Sequence, residues 1–247
     1  MLRQAYVGSI RKLHPAAERL GLLAWLERRR GSRPLFWGRT LFAIWDIRQM
    51  VSLDIPWWTF DAIDRVEAFL RGTPGARVFE YGAGASTVWL AKRAGSVAFV
   101  EHDARWMAEL APHLAGLGHV RGRLVEPVRS PSPACPSAKP GWEGFDFAGY
   151  AAAIDDAATD GTGGPFDLVV VDGRSRPHCL ARALANLAPN GIVVFDNSGR
   201  RRYRPSIEAA GLPRLETRGL TPCLPYPDQT TLLARGRAAA RLIGLAD

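Results

Sequence analysis

The stretch from Arg77 to Asp103, RVFEYGAGASTVWLAKRAGSVAFVEHD, leaves this chain few folds to adopt. Val78 and Phe79 start a strand that leads through Glu80 and Tyr81 into Gly82-Ala83-Gly84, where absent or tiny side chains permit positive φ and close approach of a ligand to the backbone. Ser86 and Thr87 open a helix whose free N–H groups face the space over the glycines, with Trp89, Leu90 and Ala94 on its inward side and Gly95 at its end. Val97, Phe99 and Val100 then form a buried strand that stops at Glu101, about 20 residues after the first, where a dinucleotide-binding fold places its ribose-binding acid. A strand, turn, helix and strand of this kind predict a parallel α/β sheet. The turn and the acid together predict an adenosine-containing ligand; a tight turn with no ligand is the plainer alternative.

A nicotinamide dinucleotide needs GxGxxG, and here Thr87 stands where the third glycine belongs. The carboxylate of Glu80 suits a cationic ligand end and sits badly beside phosphates. S-adenosylmethionine (SAM), with its sulfonium and ammonium, fits better; an NAD-dependent oxidoreductase is the alternative enzyme. The pattern EYGAGAST followed by VEHD resembles motif I and the acidic end of strand two in class I SAM-dependent methyltransferases, and the resemblance runs roughly from Trp57 to Arg235. It implies a Rossmann-like sheet of seven mostly parallel strands, order 3-2-1-4-5-7-6 with the last strand antiparallel, and helices on both faces. It also implies that Glu80, Tyr81, Gly82, Ala83, Gly84, Ser86, Thr87, Glu101, His102 and Asp172 hold the cofactor.

Charge divides the chain in two. Residues 1–50 carry ten Lys or Arg against three Asp or Glu, which is +7 of the formal +8. Residues 1–56 are therefore read as a basic helical extension and 57–247 as the SAM-binding domain. A charge run of this kind is usually a solvated helix face, with an anionic membrane surface or a nucleic acid as the functional readings; no RNA-binding signature accompanies it, so nucleic acid is not expected. A non-catalytic adaptor working through this segment is a third reading of the chain, and a homodimer stays open. No apolar run approaches the ~20 residues of a membrane span and no signal core is visible, so the expected location is the cytoplasm, with peripheral membrane contact through residues 1–50 open. Cys135, Cys179 and Cys223 are odd in number and far apart, which predicts free thiols.

Within the extension, Pro15 is placed to begin a helix carrying Leu20, Leu23 and Leu26 and ending by Gly31. Leu41, Phe42, Ile44, Trp45 and Ile47 make a second apolar stretch at helical spacing. Thr59 caps a helix with Ile63, Val66, Phe69 and Leu70, and Trp57 or Trp58 either roofs the ligand site or packs in the core. Past Asp103, Trp106, Leu110 and Leu114 give a helical face, Val120 to Val125 a strand, and Pro127 to Gly144 a loop suited to a substrate rim. Phe147 to Ile154 form a short helix, and a turn at Gly161 to Gly164 leads into FDLVVVDG, a buried strand ending at Asp172. Pro177 starts a helix through Leu180, Leu184 and Leu187 that stops at Asn190-Gly191, ahead of a strand ending in Asp196-Asn197-Ser198.

Two acid-ended strands thus point at one crevice, where open α/β sheets bind ligands. The set Asp172, Asp196 and Asn197 resembles the strand-four Asp and strand-five Asp-Asn of metal-dependent catechol and caffeoyl-CoA O-methyltransferases, which implies a magnesium-type ion held by all three against an acceptor hydroxyl. In those enzymes a lysine follows the strand-four Asp by three residues; here Ser175 stands between Arg174 and Arg176. The alternative has Asp172 facing the cofactor, Asp196 acting directly as base and Asn197 capping the next turn. The tetrapeptide Asp172-Gly173-Arg174-Ser175 is unlike the NPPY type of many amino-group methyltransferases and leans toward O-methylation of a small molecule or glycan. Arg200, Arg201, Arg202 and Arg204 surround Tyr203 in a loop suited to an anionic substrate group or simply solvated. Leu215 to Leu220 and Thr230 to Ala234 close the sheet as strands.

Overall fold

The computed structural model describes residues 2–44, 46–159 and 164–245. Its strands, in chain order, are β1 (Arg77–Tyr81), β2 (Ser96–Glu101), β3 (Val120–Leu124), the two-residue pair β4 (Val128–Arg129) and β5 (Phe145–Asp146), then β6 (Phe166–Val171), β7 (Leu187–Asp196), β8 (Arg214–Gly219) and β9 (Asp228–Ala234). Seven of them form one sheet, β3-β2-β1-β6-β7-β9-β8, with β9 antiparallel to both neighbours and the other pairings parallel. Leaving the small β4–β5 pair aside, this is the expected 3-2-1-4-5-7-6 order. The helices α1 (Leu2–Arg19), α2 (Leu22–Glu27), α3 (Arg33–Leu41) and α4 (Ile47–Leu53) precede the sheet, followed by α5 (Phe60–Gly72). Between and after the strands come α6 (Ala85–Ala91), α7 (Ala104–Leu114), α8 (Ala148–Thr159), α9 (Arg176–Ala185), α10 (Arg204–Ala209) and α11 (Arg237–Leu242).

Strand alternation decides which face each residue serves. Val78, Leu168, Val170, Ile192 and Val194 pack under α5, α6 and the extension, whereas Phe79, Tyr81, Val169, Val171, Val193 and Phe195 pack under α8 and α9. Glu80 is thereby sent to the α6 side and Tyr81 to the α8 side, where its hydroxyl donates to the Ala151 carbonyl at 2.7 Å. Thr59 caps α5 as expected, accepting from the Ala62 N–H at 3.3 Å, and Ile63, Val66, Phe69 and Leu70 are all buried. All three cysteines are free thiols.

The extension departs from its sequence reading in three ways. Pro15 lies inside α1 and does not begin it, because Val7 and Ile10 pack on the main core and Ala17 is buried, and this packing outweighs the lost N–H. A left-handed Gly21 (φ 70) breaks the single expected helix, leaving Leu20 exposed while Leu23 and Leu26 are buried. The second apolar stretch is split between α3 and α4, with Ile44 and Ile47 buried; Trp45 lies outside the described residues. Arg28, Arg29 and Arg30 are exposed, but Arg39 is buried beside Glu27 at 3.4 Å. The extension is tied to the opposite end of the chain: the Trp37 indole donates to the Leu224 carbonyl at 2.9 Å and Thr40 Oγ1 accepts from the Cys223 N–H at 3.1 Å. One core runs from Phe36 through the sheet to Ile243. Among the described residues no helix is long and apolar enough to cross a membrane.

One boundary on the far side also differs. Leu187 does not continue α9 but is the first residue of β7, paired with Phe166, despite its helical spacing from Leu180 and Leu184. The Asn186 side chain ends the helix by donating to Asp155 at 2.7 Å and to the Arg182 carbonyl at 3.0 Å. Of the expected glycine turn ahead of β6, residues 161–163 lie outside the described residues.

Candidate active site

A cavity of about 300 Å³ opens over the carboxyl ends of β1, β2 and β6, at the lower end of the ~300–1,000 Å³ usual for small-molecule sites. Its lining includes Met50, Trp57, the turn Gly82 to Ser86, Glu101, His102, Asp103, Trp106, Lys139, Asp172, Gly173 and Arg174. Trp57 thus borders the cavity, while Trp58 is fully buried edge-on against Trp89 at 5.9 Å. Lys139 comes from the Pro-rich loop, which is held in place by Asp146 accepting the N–H groups of Ala134, Cys135 and Ala148.

The two glycines of the turn have different causes. Gly82 has φ 88, and a Cβ there would fall 2.8 Å from the Gly173 backbone, so the loops after β1 and β6 touch only because both residues lack side chains. Gly84 is extended (φ 179), and a Cβ there would meet nothing nearer than Ser86 and Trp106 at 3.9 Å. Nothing among the described residues therefore requires glycine at 84; the space it leaves belongs to the cavity.

Glu101 ends β2 at the cavity wall and is 3% exposed. Oε2 accepts from the Ala83 N–H at 3.0 Å and Oε1 from the His102 and Asp103 N–H groups at 2.7 and 2.9 Å, with the His102 ring nitrogen 2.6 Å away. Burial alone would raise its pKa, but His102 and these amides outweigh burial and hold it below the ordinary value. An acceptor that is ionised at neutral pH thus faces the cavity. Asp103 caps α7, and the Trp106 indole donates to the Ala83 carbonyl at 2.6 Å, so α7 and the glycine turn are fixed to each other.

Glu80 does not reach the cavity. Its carboxyl group is fully buried beneath α6, where the Ser86 and Thr87 hydroxyls donate to it, the latter at 2.5 Å, and Thr87 in turn accepts from the Gly84 N–H at 2.9 Å. Thr87, where a third glycine would stand in a dinucleotide site, is thus a structural link between strand and turn. Burial pushes the Glu80 pKa up to about 8, against the two hydroxyl hydrogen bonds and with help from Asp172 and Glu101. Because the folded value lies above the unfolded 4.5, the folded state keeps a proton that the unfolded chain releases between these pH values. Stability therefore falls as pH rises through this window, on the order of 1 kcal/mol per unit. Glu80→Gln is expected to flatten the stability profile by one proton's worth between about pH 5 and 8. Urea midpoints across that range check it, and a slope equal to that of the wild type would show that Glu80 is already ionised.

The ends of β6 and β7 meet around a guanidinium. Arg176 is buried and its Nη2 lies 2.6 Å from Asp172 Oδ1, while Nη1 donates to the Asp196 main-chain carbonyl and lies 3.9 Å from Asp196 Oδ2. It is aimed there by Ser175, whose left-handed φ of 48 turns the chain back under the strand ends. Asp196 is buried, with Oδ1 accepting from Thr230 at 2.8 Å and Oδ2 from Asn197 Nδ2 at 2.6 Å. The same amide nitrogen donates to Asp228 at 2.9 Å. Burial raises the pKa of both Asp172 and Asp196, with Arg176 opposing.

The three residues expected to bind a metal do not form an open oxygen site. Arg176 takes the place of the cation between the two carboxylates, and two carboxylate neighbours fix Asn197 with its donor nitrogen inward. Among the described residues there is no cluster of three His, Cys, Asp or Glu side chains able to hold an ion. Of the expected site residues, Gly82, Ala83, Gly84, Ser86, Glu101, His102 and Asp172 border the cavity; Glu80, Tyr81, Thr87, Asp196 and Asn197 do not. Sequence reasoning passed over Trp106, Arg174 and above all Arg176, although the last stands one place beyond the position where a cation was sought.

No family model matches the sequence, and no curated protein matches it. Solved structures do share the fold. A candidate O-methyltransferase from Klebsiella pneumoniae is 20% identical over 80% of this chain and 90% of its own, with a TM-score of 0.52. The O-methyltransferase TomG of tomaymycin synthesis from Streptomyces achromogenes, in complex with SAM, is 20% identical over 71% of this chain and 80% of its own, TM-score 0.51. An O-methyltransferase from Bacillus cereus, in complex with S-adenosylhomocysteine (SAH), is 15% identical over 77% and 90%, TM-score 0.52. With its strand order, its glycine turn after β1 and the acid at the end of β2, this chain has the Rossmann-like fold of the SAM-dependent methyltransferases.

Proposed function

We propose that the chain is a SAM-dependent methyltransferase acting on an oxygen of a small molecule or glycan. The observation that carries this reading is the pairing of Glu101, a charged acceptor at the cavity wall, with Gly84, whose missing side chain serves no contact within the protein. Glu101 would receive the ribose hydroxyls of SAM, and Gly82 to Gly84 would hold its methionine portion. SAM supplies a methyl group on a positively charged sulfur: the acceptor oxygen bonds to that carbon as the carbon–sulfur bond breaks, and the bonding pair stays on sulfur as a neutral thioether. The protein's part is to align the two and exclude water, with Trp57 and Trp106 as apolar walls. Asp172, at the cavity edge and with its pKa raised by burial, takes the acceptor's proton. That O-methyltransferases are among the proteins sharing the fold favours oxygen as the acceptor atom.

Calorimetry with SAH tests the reading, with binding of NADH and none of SAH as the outcome that overturns it. Gly84→Ala separates ligand from fold: stability is expected to change by no more than about 0.5 kcal/mol, as for a side chain entering open space, while SAH affinity falls about tenfold or more. Equal affinity in the variant would remove the ligand from this turn. Because Arg176 fills the cation position, EDTA, Mg²⁺ and Mn²⁺ are expected to leave both SAH affinity and Tm unchanged. A rise in Tm specific to one of these ions would restore the metal reading.

A further inference from the structure

Two residues past Asp196 a second cavity of about 460 Å³ opens, and four arginines, Arg200, Arg201, Arg204 and Arg214, line it together with Glu208 and Glu216. Arg204 and Arg214 are each paired through Nε, with Glu208 at 2.8 Å and Glu216 at 3.3 Å. The guanidinium groups of Arg200 and Arg201 make no hydrogen bond or ion pair among the described residues. The lining therefore holds two positive charges beyond those its own carboxylates offset.

The backbone that carries the two unpaired arginines is pinned. The Ser198 N–H donates to the Gln229 carbonyl at 2.9 Å, the Arg200 N–H to that of Asn197 at 3.3 Å and the Tyr203 N–H to that of Arg200 at 2.9 Å, while the Tyr203 ring is buried against Phe195 at 5.3 Å. Arginines that merely solvate a surface need neither a concavity nor a fixed main chain, and collecting four around one space costs mutual repulsion. A planar fork of donors is suited to bidentate contact with tetrahedral or carboxylate oxygens. The position matters too: β6 and β7 are paired neighbours, Asp172 at the end of β6 lines the first cavity and Ser198 just past the end of β7 lines the second, so both cavities open at the same end of the sheet.

We propose that this cavity seats a doubly charged oxyanion group, a phosphate monoester, carried by the methyl acceptor, with Arg200 and Arg201 as its principal grip. The word acceptor rests on the methyltransferase reading; the anion site does not. The acceptor then reaches from this seat past Asn197 toward Asp172, which selects anionic substrates over their neutral counterparts.

The test compares phenyl phosphate with phenol by calorimetry, with and without SAH, on the full chain, on Arg200→Ala/Arg201→Ala and on Arg200→Lys/Arg201→Lys. The wild type is expected to bind phenyl phosphate at least about tenfold more tightly than phenol. The preference should vanish in the double alanine variant and return in part with lysine, while SAH affinity stays the same in all three. Equal binding of the two probes by the wild type overturns the proposal, as does a preference that survives in the double alanine variant. Phosphatidylcholine vesicles containing phosphatidic acid present the same group as a lipid: pelleting with them that needs both arginines, without a preference for soluble phenyl phosphate, assigns the cavity to a headgroup and overturns the soluble acceptor. Absence of SAH binding by the wild type overturns the methyltransferase reading and leaves the phosphate comparison readable.

Discussion

Arg176→Met is expected to destabilise the protein by about 3–5 kcal/mol at neutral to alkaline pH, the cost of leaving buried carboxylates without their cation. The pH dependence has a definite sign. Asp172 and Asp196 already have folded pKa values raised above 3.8 by burial, and without the guanidinium they rise further. The folded variant then holds protons that the unfolded chain has released, so its deficit grows with pH and shrinks as pH falls below about 3, where both carboxyls are protonated in either state. Chemical denaturation at acid and alkaline pH measures both effects. Arg176→Lys should fall between, since an ammonium keeps the charge but cannot span Asp172 and the Asp196 carbonyl at once. A methionine variant as stable as the wild type at pH near 8 would mean that the guanidinium does not sit between the acids. A methionine variant whose Tm rises with Mn²⁺, beside an indifferent wild type, would show that the arginine stands in an ion's place.

Glu101→Gln should weaken SAH binding about 100-fold or more, the largest loss of affinity expected from one substitution here. A charged acceptor facing two hydroxyls is worth about 1.5–3 kcal/mol per hydrogen bond, and each 1.4 kcal/mol is tenfold. The carboxylate also accepts from the amides of Ala83, His102 and Asp103, so unfolding must be measured alongside binding. Asp103→Asn is the control: it keeps an α7 cap at the same wall and is expected to move affinity by less than about threefold, under 1 kcal/mol. Unchanged affinity in Glu101→Gln would place the ribose elsewhere.

The part of this molecule that was legible in the sequence is the part in which neighbours in the chain are neighbours in space. Val78 to Glu101 spells out two strands, a turn and a helix locally, and strand alternation alone would have separated Glu80 from Tyr81, sending one to α6 and the other to α8. Glu80 was misplaced for a physical reason. A carboxylate at a strand end suggests a ligand's positive end, but two hydroxyls six and seven residues on satisfy it first. The guanidinium of Arg176 was harder to foresee, because its aim depends on the left-handed turn at Ser175, a residue with a Cβ that gives no sign of positive φ. Pro15 and Leu187 were misread alike: local preference pointed one way, and packing of α1 on the core or pairing of Leu187 with Phe166 decided otherwise.

The bonds from Trp37 to Leu224 and from Thr40 to Cys223 also set an order of events during synthesis. They join residues 187 and 183 positions apart, so the first helices leave the ribosome long before the segment that covers them exists. At about 5–20 residues per second the interval is roughly 10–40 s. Throughout it Trp37 and Thr40, both on α3, lack the partners that hold them in the finished protein. A nascent chain halted before β8 should therefore hold α3 open to protease and to chaperones, while α4 already rests on α6 and α7.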